Sequence, residues 1–524
     1  MFLSLLMSLL LALALAPAPA PLEPASAKVD EPQTQSTSTT VQSFTAIEGA
    51  DLMAKLEAAQ ARARSRSTPY WSAYTFDVRP GVAIDPAIRE FHGNMTTLGD
   101  TVLFVGTDSS GVKVETRSLA IFLLRDPAAN QITRMEIYNL ERKREYSGYP
   151  VYWLGRANNE ESLNYLRAIA AATPLDALSE RAVLGIALHD DARVSGMLKS
   201  FVMSSQNQRI RSSAVYWMGQ TGGEMSFLAA LVRNESEEKK LRRSAAHAIG
   251  ESHDRGTMAT LKSLYDEVKD REIRRGIISA AANSDEEAVA FPFLLNIAKT
   301  DTDAEARRAA VRQLGEFKRD EVTDELTRIY TSDPHADVKK AALRSLAETK
   351  TAKAQARLME IARNDTNAEL RKQAIRVLGE RGEAAVDDLL RLFDIEQVPD
   401  VRRAVLQSLS ETKSPRVEEK LFEVARGNDH MDVRRQAIRL LGERVSKRSF
   451  DFLSTTAQST DANAEVQVQA VRAISERRAE ESVPLLIKIA RTHPNQMVRK
   501  QAIRSLGESG DPRAIEFFRE VLAK

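Results

Sequence analysis

The sequence predicts a mainly α protein, a right-handed α-solenoid of about eleven helix pairs preceded by a small α+β domain. Three observations predict it. One motif recurs at a nearly fixed period through the C-terminal two thirds of the chain, the signature of stacked supersecondary units. Hydrophobic residues make up 43 % of the 524 residues but aromatic ones only 6 %, which suits thin aliphatic cores. Finally, 12 of the 30 aromatic residues crowd into residues 68–155, so that stretch has a core of another kind.

The motif is clearest from Val433 to Glu443 and recurs from Val498 to Glu508, from Leu370 to Glu380 and, more loosely, from Ala306 to Glu316. With its first apolar residue as origin, copies start at Ile210, Leu241, Ile273, Ala306, Val338, Leu370, Val401, Val433, Val466 and Val498, and a worn copy starts at Leu178. Apolar residues at the origin, +4, +5 and +8 form one stripe of a 3.6-residue helix. Position +4 is mostly alanine and +9 is small throughout, from Gly219 to Gly507, so neighbouring helices can approach closely. A second amphipathic segment follows in each unit, such as Val417 to Ala425 or Glu481 to Ala490. A single pair of this size cannot bury its own apolar face, whereas stacked pairs share one continuous core.

The buried stripe leaves +2, +6 and +10 on the outward face of the first helix. At +6 stand Arg312, Arg344, Arg376, Arg439, Arg472 and Arg504; at +10 stand Glu316, Glu348, Glu380, Glu443, Glu476 and Glu508, with Glu251 and Glu411 in two further copies. Stacking turns them into parallel arginine and glutamate ladders. Two uses are open: the rows neutralise each other, at about 0 to 1 kcal/mol per exposed pair, or the arginines receive carboxylates from an extended acidic partner. These twelve residues are the candidate partner-binding set.

An Asp, a short loop and then V-R-x-x-A-x-x-x-L-G, as from Asp365 to Gly379, resembles HEAT repeats, specifically the short phycobilisome-lyase HEAT-like form. The resemblance covers roughly residues 178–524. It implies that the first helix lines a concave surface where partners lie. It also implies that the basic residue at +1 pairs with an aspartate six positions earlier, matching Asp301 with Arg307, Asp333 with Lys339 and Asp365 with Arg371; Asp461 and Gln467 depart from that pattern. The whole layout is similar to exported bacterial HEAT-repeat proteins.

At the N-terminus, Phe2 to Ala16 is an almost unbroken apolar run. As a helix it would rise about 22 Å, short of a roughly 30 Å hydrocarbon core. With Ala25-Ser26-Ala27 after it, the run reads as a secretory signal over residues 1–27, with an uncleaved membrane tether as the rival reading. A polar linker is expected over 28–43, a helix over 44–65, the α+β domain over 66–155, a connecting helix over 156–177 and the solenoid over 178–524. Within the domain, alternation predicts strands at Tyr70–Val78, Thr101–Val105, Val112–Leu124 and Ile132–Tyr138, with Asp108 to Gly111 as a hairpin turn. Pro150 to Gly155 reads as a hinge into the repeats.

Composition and motifs exclude several functions. Cysteine is absent, which removes disulfides, thiolate metal sites and thiol nucleophiles. Lys and Arg number 74 against 73 Asp and Glu, so the chain lacks the basic excess of a nucleic-acid binder, and a glutamate row would repel phosphate. Seven histidines are scattered and none precedes a glutamate, so the repeated His-Glu pairs of HEAT-like di-iron hydroxylases are missing. Gly250 to Asp254 lacks the last glycine of a nucleophile elbow, and Gly106 to Lys113 has Val112 where a P-loop needs lysine.

The expectation is therefore an exported scaffold, periplasmic or extracellular. Its solenoid would present a concave surface to a protein or peptide, with no catalysis, cofactor, metal, nucleic acid or membrane span in the mature chain. A ligand-binding or enzymatic module in residues 66–155 is the alternative. Lyase-like or oxidoreductase activity has only the family analogy behind it and no motif.

Overall fold

The computed structural model describes residues 44–65, 68–84, 91–98, 101–108, 116–128, 131–142, 144–172, 176–317, 320–459 and 463–523. The leader and linker expected before residue 44 lie outside them, as does Asp461. Among the described residues no helix is long and apolar enough to cross a membrane.

The first helix runs from Leu52 to Arg64. It starts later than its composition suggests because Asp51 caps it, accepting the Ala54 N–H at 2.8 Å, and it buries Leu52, Leu56, Ala59 and Ala63. The chain then builds a mixed sheet. Tyr70–Thr75 runs antiparallel to Leu119–Asp126, with Ala73 opposite Phe122, and parallel to Val151–Arg156. Leu119–Asp126 in turn pairs antiparallel with Gln131–Asn139. Tyr70 through Tyr74 are all buried, so both sheet faces are covered, which is why this stretch needs the aromatic residues. On one face Phe122 stacks on Tyr146 at 5.2 Å and meets Trp71 edge-on, and the Trp71 indole N–H donates to the Tyr146 carbonyl.

One reading of this region is corrected and one lies outside the described residues. The turn expected at Asp108 to Gly111 lies outside the described residues beyond Asp108; Thr101–Asp108 pairs antiparallel with Phe91–Leu98, Leu98 facing Thr101, and with Ala83–Ile84. Pro150 to Gly155 is no hinge. Val151–Arg156 is a strand inside the sheet, and its Val151, Tyr152 and Leu154 are buried.

From Asp176 onward the described chain is helical, in eleven pairs from Asp176–Ala187 with Arg193–Ser204 to Gln496–Ser509 with Pro512–Leu522. Side-chain caps start many of these helices. Asp270, Asp303, Asn367, Asn463 and Asn495 cap first helices by accepting the N–H two residues on, which satisfies an otherwise orphaned donor. First helices of successive pairs lie much closer together than second helices do, so the stack curves toward the first-helix side. The small +9 residue makes this possible. A Cβ on Gly250 would fall 2.3 Å from the Ala280 carbonyl oxygen, and one on Gly442 would fall 2.8 Å from the Ala473 Cβ.

The α+β part closes the N-terminal end of the stack. Helix Asn159–Ala172 packs along Asp176–Ala187, and a Cβ on Gly185 would meet Leu166 and Met135 at 3.1 and 3.3 Å. Buried polar groups fasten the joint. Arg181 lies 3.3 Å from Glu136, and the His189 ring stacks on Phe76 while its nitrogens bond the Gly185 carbonyl and Ser162 Oγ. Such a cover is what a solenoid end requires.

Candidate functional site

The first-helix face is the inner side of the curve, and the +6 and +10 side chains are exposed on it. The ladders are only partly self-neutralised. Arg376 reaches Glu380 at 3.4 Å and Arg504 reaches Glu508 at 3.0 Å; Arg439 pairs with Glu443 and donates to Gln407 of the preceding first helix at 2.7 Å. Arg472 donates instead to Gln501 at 3.2 Å. Arg312 and Arg344 make no ion pair or hydrogen bond through their side chains among the described residues, and neither does Glu476.

Glutamates 316, 348 and 380 follow one another up the stack as like charges. The Glu348 carboxylate sits where a Gly315 Cβ would lie 2.7 Å from it. Partial desolvation there, reinforced by the Glu316 and Glu380 charges, pushes its pKa up against the pull of Arg344 and Arg312. The rows are thus a charged surface with unmet demand at both signs, not a closed zipper.

Two neighbouring columns explain which charges stay unmet. At +2 the cations are absorbed by the acid at −1: Lys372 with Glu369, Arg403 with Asp400, Lys340 with Asp337, Arg308 with Glu305 and Arg435 with Asp432. At +3 the C-terminal repeats carry Gln373, Gln436 and Gln501; two of them bond +6 arginines, Gln436 with Arg439 and Gln501 with Arg472. In the repeats starting at Leu241, Ile273 and Ala306 the same position is Ser244, Gly276 and Ala309. There the face opens into a groove of about 600 Å³ lined by Tyr216, Lys240, Arg243, Arg275 and Arg312 among others. The ladder reading missed this groove; the +3 column was the signal that could have found it.

The +1 row is structural, but not through the expected partners. Arg307 and Arg371 give the residue six positions earlier only a hydrogen bond to its backbone carbonyl, at 2.8 Å in both cases. Their carboxylate partners come from the next loop: Arg307 with Asp333, Arg371 with Glu396, Arg274 with Asp301, Arg211 with Glu237 and Arg402 with Asp429. The reason is reach. The loop aspartate caps its own turn, as Asp333 Oδ1 accepts the His335 N–H, and its other oxygen faces back toward the preceding repeat. Lys339 lies over the Tyr330 ring instead, and Gln467 donates to the Ser459 carbonyl.

No group of three or more His, Asp or Glu side chains among the described residues could hold a metal ion. His189 and His253, each followed by aspartate, are held apart: His189 is buried in the joint, and His253 pairs with Asp285 at the surface at 2.5 Å.

This geometry defines a class, the α-solenoids built from stacked helix pairs whose close-packed first helices face inward. Residues 291–379, 356–442 and 450–524 match the family model for HEAT repeats. Residues 291–442 and 450–524 are thus HEAT repeats. No curated protein matches it in sequence. Solved structures similar to it include importin-β, at 13 % identity over 67 % of this chain and 57 % of that one with a TM-score of 0.33. Yeast Kap95p is similar at 11 % identity over 69 % and 59 %, also with a TM-score of 0.33. The phycocyanin lyase complex of CpcE and CpcF from Nostoc is similar at 17 % identity over 47 % and 92 %, with a TM-score of 0.25. The chain spans a little under three fifths of the length of the importin-β chains it matches.

Proposed function

We propose that this protein is an exported scaffold whose solenoid holds a protein or peptide partner along its inner face, without catalysing a reaction. The observation that carries the reading is the inner face itself. Ten successive first helices, from Gln208–Thr221 to Gln496–Ser509, present exposed charges along one continuous surface, and several of those charges have no ion pair or hydrogen bond among the described residues. Arginine suits such a surface because its planar fork holds a carboxylate in two places at once. The apolar run at Phe2–Ala16 and Ala25-Ser26-Ala27 support export.

The test is charge reversal at Arg376 and Arg439 together, both on the inner row. The full chain is used to capture partners from an envelope extract of its native cell. Loss of captured protein at unchanged folded content is the expected result. Identical capture by the variant and the parent would sink the inner-face reading.

A further inference from the structure

The inner face is not uniform, and one departure from the repeat pattern gathers cations in one place. In most repeats the −1 position is acidic: Glu272, Glu305, Asp337, Glu369, Asp400, Asp432 and Glu465. In the repeats starting at Ile210 and Leu241 it is Arg209 and Lys240. Arg243 therefore has no acid on its own helix and takes Glu272 of the following one, at 2.6 Å. It can do so because residue 276 is glycine: a Cβ there would lie 3.3 Å from Arg243 Cγ. Glu272 is the −1 acid that the pattern would give to Arg275. Among the described residues Arg275 is left without an ion pair or hydrogen bond through its side chain, as are Lys240 and Arg312.

The acidic row is broken at the same level. Position +10 is Gln220 and Asn283 in two of these repeats, and the Glu251 between them accepts from Asn283 Nδ2 at 3.0 Å and faces His247 at 3.8 Å. Of the side chains lining the groove, four are lysine or arginine and one, Glu272, is a carboxylate. It is already spent on Arg243. With Ser244, Gly276 and Ala309 in place of the glutamines found further along, cations and open space coincide.

We propose that this groove, between Ser212 and Gln313, is the seat of an acidic segment of a protein partner, with Lys240, Arg275 and Arg312 receiving its carboxylates. The inference rests on the interaction-surface reading and names the chemistry of the partner. Charge complementarity favours an extended acidic chain. The three free cations stand on three successive first helices, so they meet a partner laid along the stack one after another. Guanidinium forks discriminate for carboxylates by geometry as well as by charge.

The experiment uses the full-length protein and a fluorescently labelled ten-glutamate peptide, read by anisotropy at low salt. A ten-lysine peptide and a single-stranded oligonucleotide of the same length run alongside. Arg275→Glu with Arg312→Glu is expected to weaken the glutamate peptide at least tenfold. Ala309→Gln, which keeps every cation but restores the filler of the C-terminal repeats, is expected to weaken it severalfold. Arg391→Glu with Lys447→Glu, the same charge change on second helices, is expected to leave it within twofold. Unchanged binding in the groove pair overturns the proposal, as does an Ala309→Gln variant that binds like the parent, or an oligonucleotide that binds more tightly than the peptide. If Arg376→Glu with Arg439→Glu abolishes peptide binding while the groove pair does not, this inference falls and the interaction-surface reading stands. If the groove variants lose the peptide but partner capture is indifferent to every inner-face change, the groove stands and that reading falls.

Discussion

Arg307 binds two successive repeats at once: its Nη1 donates to the Asp301 carbonyl at 2.8 Å and its Nε to Asp333 Oδ2 at 2.6 Å. Both partners of the ion pair are more than nine-tenths buried, at 9 % and 5 % side-chain exposure. Removing one partner of a buried pair strands the other, at a cost of about 3–5 kcal/mol. Arg307→Ala and Asp333→Asn are each expected to destabilise strongly. The double variant should cost much less than the sum, measured as a cycle in urea melts. An additive cycle would show that the two do not act as a unit. Unfolding of a repeat array need not be two-state, so hydrogen exchange on the helices flanking residue 333 is the sharper readout.

The same pair sets a pH dependence. Burial pushes the Asp333 carboxyl up, but Arg307, the His335 N–H and the charges nearby outweigh it and hold the group below its ordinary range. A carboxylate with a lowered folded-state pKa lends stability that is complete above its unfolded value and is lost as pH falls through the folded one. The parent is therefore expected to lose stability as pH drops below about 4, and Asp333→Asn to show a shallower loss. Equal slopes would remove this carboxylate from the acid response.

How much of this was legible in the sequence follows from what each feature depends on. The helix pairs and their register were readable, because Ala437, Ile438 and Leu441 must be buried for the stack to exist. The closeness of first helices was readable from the small +9 residues. The Arg307–Asp333 pair was readable in kind but not in direction. An aspartate six residues back and one 26 residues ahead look alike until the loop's own cap has claimed one oxygen. The strand at Val151–Arg156 was misread because its parallel partner, Tyr70–Thr75, is distant in the chain and leaves no local signal. The basic groove depends on which of two arginines wins Glu272, and that is a contest of packing around Gly276.

His189 offers a second pH response, in another window. Its ring is buried against Phe76, and burial lowers its pKa to about 4 despite the hydrogen bond to the Gly185 carbonyl. The unfolded chain binds that proton at a pKa near 6.5. The joint between sheet and solenoid should therefore be fully stable above about pH 6.5 and weaken as pH falls toward 4, by up to roughly 3 kcal/mol. Thermal melts of the parent and of His189→Gln from pH 7 to pH 4 check this. A His189→Gln variant with the parent's full pH dependence would refute it.

The glutamate ladder predicts a gain. Partial desolvation and its like-charged neighbours raise the Glu348 pKa, so ionised Glu348 opposes folding at neutral pH, and the opposition fades as pH falls through its raised value. Glu348→Gln should stabilise the protein at pH 7 by a few tenths of a kcal/mol, since the site is exposed and screened. The gain should vanish near pH 4. Destabilisation at pH 7 would show that the carboxylate is held by the arginines after all.

Two glycines at one position of the motif should respond in opposite senses. Gly250 faces the Ala280 carbonyl, 2.3 Å from where its Cβ would be. That neighbour is backbone and can yield only by pushing two first helices apart. Gly250→Ala is therefore expected to cost on the order of 1–3 kcal/mol, as overpacking does. Gly507, in the helix Gln496–Ser509, meets only the Phe518 ring edge at 4.0 Å. Nothing opposes a methyl there, and alanine loses less backbone entropy than glycine in a helix. Gly507→Ala should stabilise by about 0.5–1 kcal/mol. Chemical denaturation of the two single variants against the parent decides the matter. If both shift the midpoint the same way, the small +9 residue answers to helix propensity and not to the spacing between first helices.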